Sequence, residues 1–503
     1  MSGLSGSLGK TTMYRVTTWA LGAILLSAIV LALVGSVHQD PLAIFLGAVV
    51  AVAVTALTSR LCGALWRTRV HVESSVITGL ILALLFWPQL NVASFLTIAA
   101  AAVVAGLSKF LIAVRARHLL NPAAAGAFLG GLVAVPFGGF PAAWWVATPA
   151  LLPVVALAGL AVVLRTRRAL LVATYLVASL AVVVSRLVSD GSPPLDALVT
   201  AFQSYPLVFA ACFMLTEPLT LPPRRRQQLA EAAVVGALTF VPFHFGSVYS
   251  SPELALLVGN VLAFLFGQRR AVHLRVQGHR TVVPGVREVA FAPENPVRWE
   301  PGQWIELHIP HADADGRGSR RVFSMSSAPG DELTVAFRLS DAPSTFKAAL
   351  SSVPEGGLVR ATAVGGDFLL PRDASVPLLL VAGGIGVTPF VSHLASLVRS
   401  GDPRDVVVVL LLGPGDPPAY PDVLLASGAR VVVVSPAIPD DLPQCWTHVS
   451  APLLDAELLR AQVPDAASRV GYVSGSPGMV DHARKVLRGA GVRRVRTDTF
   501  SGY

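Results

Sequence analysis

A chain of 503 residues that is 53% hydrophobic and only 14% charged is too apolar for one soluble globule and too long for one domain. Its net charge of +9 resides in one half: Lys and Arg outnumber Asp and Glu by 17 to 7 through Arg270 and trail them by 22 to 23 afterwards. That asymmetry argues for membrane orientation and against a nucleic-acid partner. Cys62, Cys212 and Cys445 stand singly, without a CxxC or a fourth thiol, so an iron–sulfur cluster, a structural zinc and a disulfide framework all lack support.

A bilayer core takes roughly 20 apolar residues per helix. Ten segments are expected to meet that need, at about 17–37, 41–57, 75–87, 92–110, 123–135, 147–164, 169–187, 201–222, 230–245 and 254–266. The first has no A-x-A-like cleavage site after it and is read as a retained span. Loop charge supports the count. Lys10 and Arg15, then Arg60, Arg67 and Arg69, then Arg115 and Arg117, then Arg165, Arg167 and Arg168, then Arg224 to Arg226, then Arg269 and Arg270 fall in every second connection. The intervening connections carry no Lys or Arg, which places both termini in the cytoplasm and lipid around the spans. Arg186 and Glu217 sit near span ends, where snorkelling suffices to explain them. No central carboxylate stands out, so ion pumping by this chain alone is not expected.

From about His273 the texture changes to short, alternating, turn-bounded runs such as QWIELHI and LTVAFRL, which predict a small antiparallel β-barrel. Past Pro371, PLLLVAGG, DVVVVLLLG, ARVVVVS and SRVGYVSG are continuous apolar strands separated by helical stretches, the pattern of a parallel sheet covered on both faces. The predicted domains are therefore a transmembrane region at 1–270, a barrel at 271–373 and an α/β domain at 374–503. Within the last, a buried strand ends in Gly383, Gly384 and Gly386, with Thr388 and Pro389 opening a helix. Such a turn presents backbone N–H groups to a pyrophosphate with no Cβ in the way.

PGQW at 301–304, RVFSMSS at 321–327, STF at 344–346, GGIGVTP at 383–389, GSPGM at 475–479 and a terminal TFSGY occur in one order. In that order, over about 230 residues, they resemble the ferredoxin-reductase family of FAD and NAD(P)H oxidoreductases. The resemblance implies that Arg321 contacts the FAD pyrophosphate, Phe323 stacks on the flavin and Ser324 hydrogen-bonds near flavin N5, with Ser327 in the same motif. Ser344 and Thr345 correspond to a second phosphate-binding turn. Gly383, Gly384, Gly386 and Thr388 correspond to the turn under the NAD(P)H pyrophosphate, and Ser474 with Gly475 to the nicotinamide end. Phe323 stands where the family often has Tyr, and Ser474-Gly475-Ser476 where Cys-Gly-Pro is common. Asp498 and Phe500 occupy the acidic and aromatic tail, and Tyr503 is positioned to reach the flavin.

In the apolar half, paired helix histidines for haem are missing: only His38, His71, His118 and His244 precede His273, none paired on one helix. SSVITGLILALLFWP at 74–88, LLNPAAAGAF at 119–128, SDGSPPLDAL at 189–198 and FMLTEPLTLPP at 213–223 resemble, in order, the flavin-carrying membrane subunit of Rnf and sodium-translocating NADH:quinone reductase complexes. That resemblance implies two five-helix repeats and an FMN, with Asn121, Pro122, Thr216 and Glu217 lining its pocket. The Ser-Gly-Ala-Thr stretch that carries a covalent flavin is absent from 189–198; Ser192 is the nearest hydroxyl and Thr200 lies beyond, so the FMN is expected to be non-covalent. The expected function is a membrane-bound NAD(P)H oxidoreductase passing electrons through FAD to a membrane-embedded flavin and on to a quinone or an extracytoplasmic acceptor. Two alternatives are an FAD-only NAD(P)H:quinone reductase and a redox-regulated small-molecule transporter built on Pro-interrupted spans. Asp416, in a loop without an Arg cluster, leans towards NADH.

Overall fold

The structure, a computed structural model, describes residues 12–66, 68, 70–114, 117–246, 248–268, 272–311, 314–315 and 318–500. Two compact units meet in sequence at Arg270 and Ala271. The first is helical, with α1 (Met13–Leu33), α2 (Pro41–Leu65), α3 (Val72–Leu85), α4 (Val92–Leu111), α5 (Pro122–Phe137), α6 (Leu152–Thr166), α7 (Ala169–Ser189), α8 (Pro194–Ser204), α9 (Leu207–Met214), α10 (Arg225–Phe240) and α11 (Pro252–Phe266).

Ten spans were expected, several of them short; among the described residues four helices, α1, α2, α4 and α7, are long and apolar enough to cross a membrane, or five if α8 and α9, bent by 59°, count as one. The short helices have local causes. Helix α3 ends inside the bundle, where the chain at 143–146 caps it: Ala143 N and Trp144 N donate to Leu85 O (2.9 and 2.8 Å) and Val146 N to Leu84 O (3.4 Å). Trp145 Nε1 adds a bond to Ala83 O at 2.9 Å. Backbone ending at such depth is tolerated only when protein groups satisfy it. Helix α10 opens on Arg225, Arg226, Gln227 and Gln228, so its apolar part is short.

An order of elements recurs within the unit. After α4 and again after α10 comes a two-residue hairpin, 113–114 with 117–118 and 244–245 with 248–249. Each leads into a helix with Pro at its first position and a polar cap, Asn121 for α5 and Ser251 for α11. Helix α5 contains a π-helical turn at 126–130, and α11 runs into one at 264–268. Helices touch through glycines: a Cβ on Gly79 of α3 would lie 2.6 Å from Val52 Cα of α2, and one on Gly130 of α5 would lie 2.9 Å from Ala101 N of α4. Gly130→Val should therefore part α5 from α4 and cost about 1–3 kcal/mol, seen as a lower aggregation temperature of the detergent-extracted protein; an unchanged temperature would remove this contact from the account.

Contrary to the expectation of no central carboxylate, the bundle buries Glu231 (1% exposed), Glu253 and Lys109. Trp144 Nε1 donates to Glu253 Oε2 at 2.8 Å, and Lys109 Nζ donates to Ser74 O at 3.1 Å.

In the second unit, β1 (Val272–Val283), β2 (Val286–Pro293), β3 (Trp304–His308), β4 (Arg320–Ser324), β5 (Leu333–Arg338) and β6 (Leu358–Gly365) form one antiparallel sheet in the order β4-β3-β6-β1-β2-β5. A bridge between Met325 and Val335 joins its two edges. Alternation works as read: Leu274, Val276, Phe291, Ile305, Leu307 and Val335 point into one core, which α12 (Thr345–Ser352) closes with Phe346 and Leu350.

The rest is a parallel six-stranded sheet of β7 (Leu378–Gly383), β8 (Val406–Leu411), β9 (Arg430–Ser435), β10 (Thr447–Ser450), β11 (Val470–Gly475) and β12 (Val495–Thr499), ordered β10-β9-β8-β7-β11-β12. Its helices are α13 (Thr388–Ser400), α14 (Pro421–Ala426), α15 (Ala456–Gln462) and α16 (Pro477–Gly489). Leu378, Leu380 and Ala382 of β7 pack with α13 and α14, while Leu379 and Val381 pack with α15 and α16. Burial on both faces is why β7, β8, β9 and β11 read as unbroken apolar runs.

Candidate functional site

The chain lays down β7 to β10 in one direction and returns to place β11 on the other side of β7. The crevice between the carboxyl ends of β7 and β11 is thus the switch point where open α/β sheets take ligands. Both strands end in glycine there, Gly383 and Gly475. A Cβ on Gly386 would be driven into the carbonyl of Ser474 and lie 2.7 Å from Gly475 Cα, so the turn is pressed directly onto the end of β11. Gly384 has φ +53 and open space around its Cα. Gly383, Gly384 and Ile385 are partly exposed, whereas Thr388 is buried and its Oγ1 donates to Ile385 O at 3.2 Å, bracing the turn from within.

Ser474 is fully buried beside this turn, and its hydroxyl has no hydrogen-bond partner among the described residues. Its register partner on β12 is Asp498. Asp498 Oδ2 in turn accepts a hydrogen bond from Ser324 Oγ of the antiparallel sheet at 3.0 Å. Asp498 therefore bonds the serine that the sequence placed at the flavin end and neighbours, in strand register, the one placed at the nicotinamide end. Loss of hydration pushes the Asp498 carboxyl up to about 6, offset in part by Ser324 and the Thr499 N–H. Phe500 N donates to Gly475 O at 2.9 Å, tying down the tail. Tyr503 lies outside the described residues.

A second cluster forms where β4 meets α12. Arg321 Nη2 pairs with Asp315 Oδ1 at 2.8 Å, and its Nη1 donates to the carbonyls of Gly318 (2.9 Å) and Arg320 (2.7 Å). Its guanidinium stands 5.4 Å from the Phe346 ring centre. Phe323, two residues on and on the same face, packs against Phe337 and Phe346 with ring centres 5.7 and 5.9 Å away, leaving 9% of it exposed. Ser344 caps α12 by accepting from Lys347 N at 3.4 Å. Thr345 Oγ1 meets His311 Nε2 at 3.0 Å and accepts from Asp315 N at 3.2 Å. An always-charged guanidinium, a helix N-terminus and a hydroxyl within one cluster suit a pyrophosphate, so these residues fit the phosphate end of FAD. Asp315 and His311 escaped the sequence reading because HADADGRG carries only loop signals. Ser327 is placed elsewhere: its Oγ accepts from Thr334 N at 3.0 Å and its carbonyl from Ser392 Oγ at 2.6 Å, beside a cleft of about 540 Å³ lined also by Arg280, Glu288 and Tyr420.

The two sheets are pinned by a histidine that sequence reasoning missed. His393 of α13 is buried, with Nε2 facing Phe368 O at 2.9 Å and Pro301 O at 3.1 Å, so that nitrogen carries the hydrogen. Gly302 of PGQW, at φ +83, lies where any Cβ would collide with this ring. Burial lowers the imidazole to about 4. The folded value lies below the unfolded one, so stability present above about 6.5 is lost as pH falls towards 4. Between pH 7 and pH 5 the loss from this group is about 2 kcal/mol. His393→Gln keeps a donor without titrating; it should flatten the pH dependence of the urea midpoint, and an unchanged slope would contradict the assignment.

In the helical unit the structure gathers Asn121, Pro122, Thr216 and Glu217 around one cavity, together with Ser74 and His118. Asn121 holds it in shape: Oδ1 accepts from Ala123 N (3.0 Å) and Ala124 N (3.1 Å), Nδ2 donates to Met214 O (3.1 Å), and its backbone N–H donates to Asn260 Oδ1 (2.7 Å). Arg168 reaches the Thr216 carbonyl. The void is about 40 Å³, room for a water and far short of a flavin ring. The residues present do not fit an FMN as they stand.

No family model matches the chain. It is 29% identical over 209 residues to an NADPH oxidoreductase of Mycobacterium tuberculosis, a stretch making 40% of this chain and 52% of that one. It is 28% identical over 216 residues to the ferredoxin reductase component of a 3-ketosteroid-9-alpha-monooxygenase of Mycolicibacterium smegmatis, 42% of this chain and 58% of that one. The chain therefore spans little more than half the length of these curated relatives. A solved cytochrome P450 reductase from Amycolatopsis superposes with a TM-score of 0.39 at 23% identity, over 46% of this chain and 70% of that one. None of the three concerns an Rnf- or NADH:quinone-reductase-type membrane subunit; what the sequence relatives support is a ferredoxin-reductase-type region for FAD and nicotinamide in this chain.

Proposed function

We propose that the chain is a membrane-bound, FAD-dependent NAD(P)H oxidoreductase whose soluble unit takes a hydride from cytoplasmic NAD(P)H and passes the electrons to a quinone at the membrane; delivery to an extracytoplasmic acceptor would require the second, membrane-embedded flavin. The observation that carries this reading is Asp498, which joins Ser324 of one sheet to the strand end bearing Ser474 of the other. The relatives named NADPH oxidoreductase and ferredoxin reductase component add support. FAD, when bound, supplies hydride acceptance and one-electron release. Arg321, Thr345 and the N-terminus of α12 would hold its pyrophosphate, and Ser324 would address the reacting end of its ring. Gly383 to Ile385 would lie under the coenzyme pyrophosphate, with Gly386 keeping that turn against β11. The bridged first sheet is read as a closed barrel, and residues 1–270, 271–373 and 374–503 as the three domains.

For the helical unit we retain ten membrane-associated segments with both termini cytoplasmic, as the alternating loop charge suggests. Gathering of Asn121, Pro122, Thr216 and Glu217 on one cavity supports their forming one site, but its volume does not admit FMN and no electron step is routed through one. The second reading, an FAD-only quinone reductase, is favoured on that volume. Acid precipitation of the purified protein, with FAD and FMN counted in the supernatant and flavin fluorescence sought in the pellet, separates them. FAD alone is expected; one FMN for each FAD would restore the two-flavin reading.

A further inference from the structure

The outer face of the antiparallel sheet carries a row of basic side chains set in register across four strands. His308 of β3 stands opposite Arg320 of β4 on one side and Arg360 of β6 on the other, and Arg360 stands opposite His273 of β1. At one inter-strand spacing for each step, the row is about 14 Å long. The chain neighbours Leu274, Leu307, Arg321, Val359 and Ala361 are buried, so the row points away from the core and from the Arg321 cluster. Arg275, two residues along β1, extends it, and Leu358, two residues before Arg360, is 57% exposed on the same face.

Cations directly opposite one another weaken a sheet unless something neutralises them. The carboxylates on this face do so only in part. Glu294 is shared by His273 (3.7 Å) and Arg275 (3.3 Å), and Glu306 accepts from Thr362 Oγ1. Arg360, inside the row, makes no side-chain hydrogen bond or ion pair among the described residues. Burial, with the Arg320 and Arg360 guanidiniums, pushes the His308 imidazole down to about 4. At neutral pH it therefore offers an uncharged N–H, and the arginines carry the charge. From Ala271 onwards 22 Lys and Arg stand against 23 Asp and Glu, so the row is a local arrangement and not a by-product of composition.

Place in the chain decides which anion covers the row. Helix α11 runs into a π-helical turn that ends at Gln268, and β1 begins at Val272, with only Arg269, Arg270 and Ala271 between. A row that starts at His273 is thus tethered at the surface from which that helix emerges. By the loop-charge pattern that surface is the cytoplasmic one, whose leaflet carries anionic lipid. Leu358 beside the arginines gives an apolar contact that a headgroup layer accommodates and a soluble polyanion does not. Resting on the membrane-bound reading above, we propose that Arg320, His308, Arg360 and His273 dock the antiparallel sheet on the phosphates of anionic phospholipids, with Leu358 entering the headgroup layer. Docking keeps the flavin-binding unit at the bilayer that holds its quinone.

The test uses the full chain in lipid nanodiscs, with the exposed Cys445 removed as Cys445→Ser and Leu358→Cys as a reporter; Cys62 and Cys212 are buried. An uncharged, polymer-linked maleimide labels the reporter in discs of phosphatidylcholine and in discs that also contain phosphatidylglycerol. Labelling should slow roughly 25-fold in the anionic discs, two arginines at about fivefold each. Arg360→Glu should remove that slowing, Arg360→Lys should keep it, and high salt should relieve it. Both Arg360 variants should retain the FAD of the unaltered protein, because Arg360 faces away from the Arg321 cluster. A control reporter, Ile438→Cys, in an exposed loop of the parallel sheet, should label equally in both discs. Equal rates at Leu358→Cys in the two lipids, slowing that survives Arg360→Glu, or the same slowing at Ile438→Cys would each overturn the inference. A chain that does not enter discs of either composition would overturn the membrane-bound reading instead.

Discussion

Asp498→Asn should slow reduction of the bound flavin by NAD(P)H roughly a hundredfold at pH 7, while making the protein more stable. The carboxyl sits between Ser324 and the strand end of Ser474 and is pushed up to about 6. Above that pH it is ionised and can stabilise positive charge developing beside Ser474. As pH falls through 6 it gains a proton and the rate should fall with it. Asparagine keeps the hydrogen-bonding shape but cannot ionise, so that step in the pH profile should vanish. Stability runs the other way: a carboxyl whose folded value is raised destabilises the fold once pH exceeds both values, and does so fully above about 6. Replacing it should gain about 1–2 kcal/mol at pH 7 and progressively less towards pH 4. Slower and more stable together is a signature that mere structural damage cannot give. Stopped-flow flavin reduction and urea unfolding across pH 5 to 8 check both halves; a variant that keeps the step near pH 6 would remove Asp498 from the mechanism.

Gly386→Ala should cost about 2–3 kcal/mol and weaken nicotinamide-coenzyme binding by at least about tenfold. The new methyl would enter the Ser474 carbonyl and crowd Gly475 Cα, both backbone groups at the end of a central strand. Nothing nearby is a flexible side-chain end that could swing aside, so the turn itself must lift off β11. That lift displaces the backbone meant to face the pyrophosphate and the buried Ser474 hydroxyl together. Gly384→Ala makes a useful contrast, because its Cβ would meet open space and the strain would come only from φ +53. Coenzyme titration of the two variants should therefore show the greater loss at Gly386, and equal losses would contradict the packing argument.

The sequence was legible where one residue type does one local job. Gly383, Gly384 and Gly386 announce a tight turn after a buried strand, and RVFS announces strand β4 through alternation, whereas the helix α12 that Ser344 caps was not read. Parallel strands β7, β8, β9 and β11 were legible because both their faces are buried, whereas the partly exposed β10 and β12 carried no such run. The alternating loop charge was legible because it depends on composition, not contact. What could not be read were pairs made by the fold. Asp315 finds Arg321 and His311 finds Thr345 only once the fold brings those residues together. His393 looks like any helix residue until the Pro301 and Phe368 carbonyls are brought to it. Arg338 meets Asp416 across 78 residues of sequence, which is why that loop read as lacking an Arg partner. The contacts behind the short helices were hidden for the same reason: hydropathy cannot foresee that residues 143–146 will cap α3 inside the bundle, or that Glu231 and Glu253 will be buried there.

The measurement that bears most directly on the central claim is anaerobic mixing of the purified full-length protein with NADH while the flavin absorbance is followed. The account predicts one FAD retained per chain, bleached by a single equivalent of NADH and restored when a quinone analogue is added. A protein that retains no FAD, takes up none when it is supplied, and shows no bleaching with NADH or NADPH would contradict it.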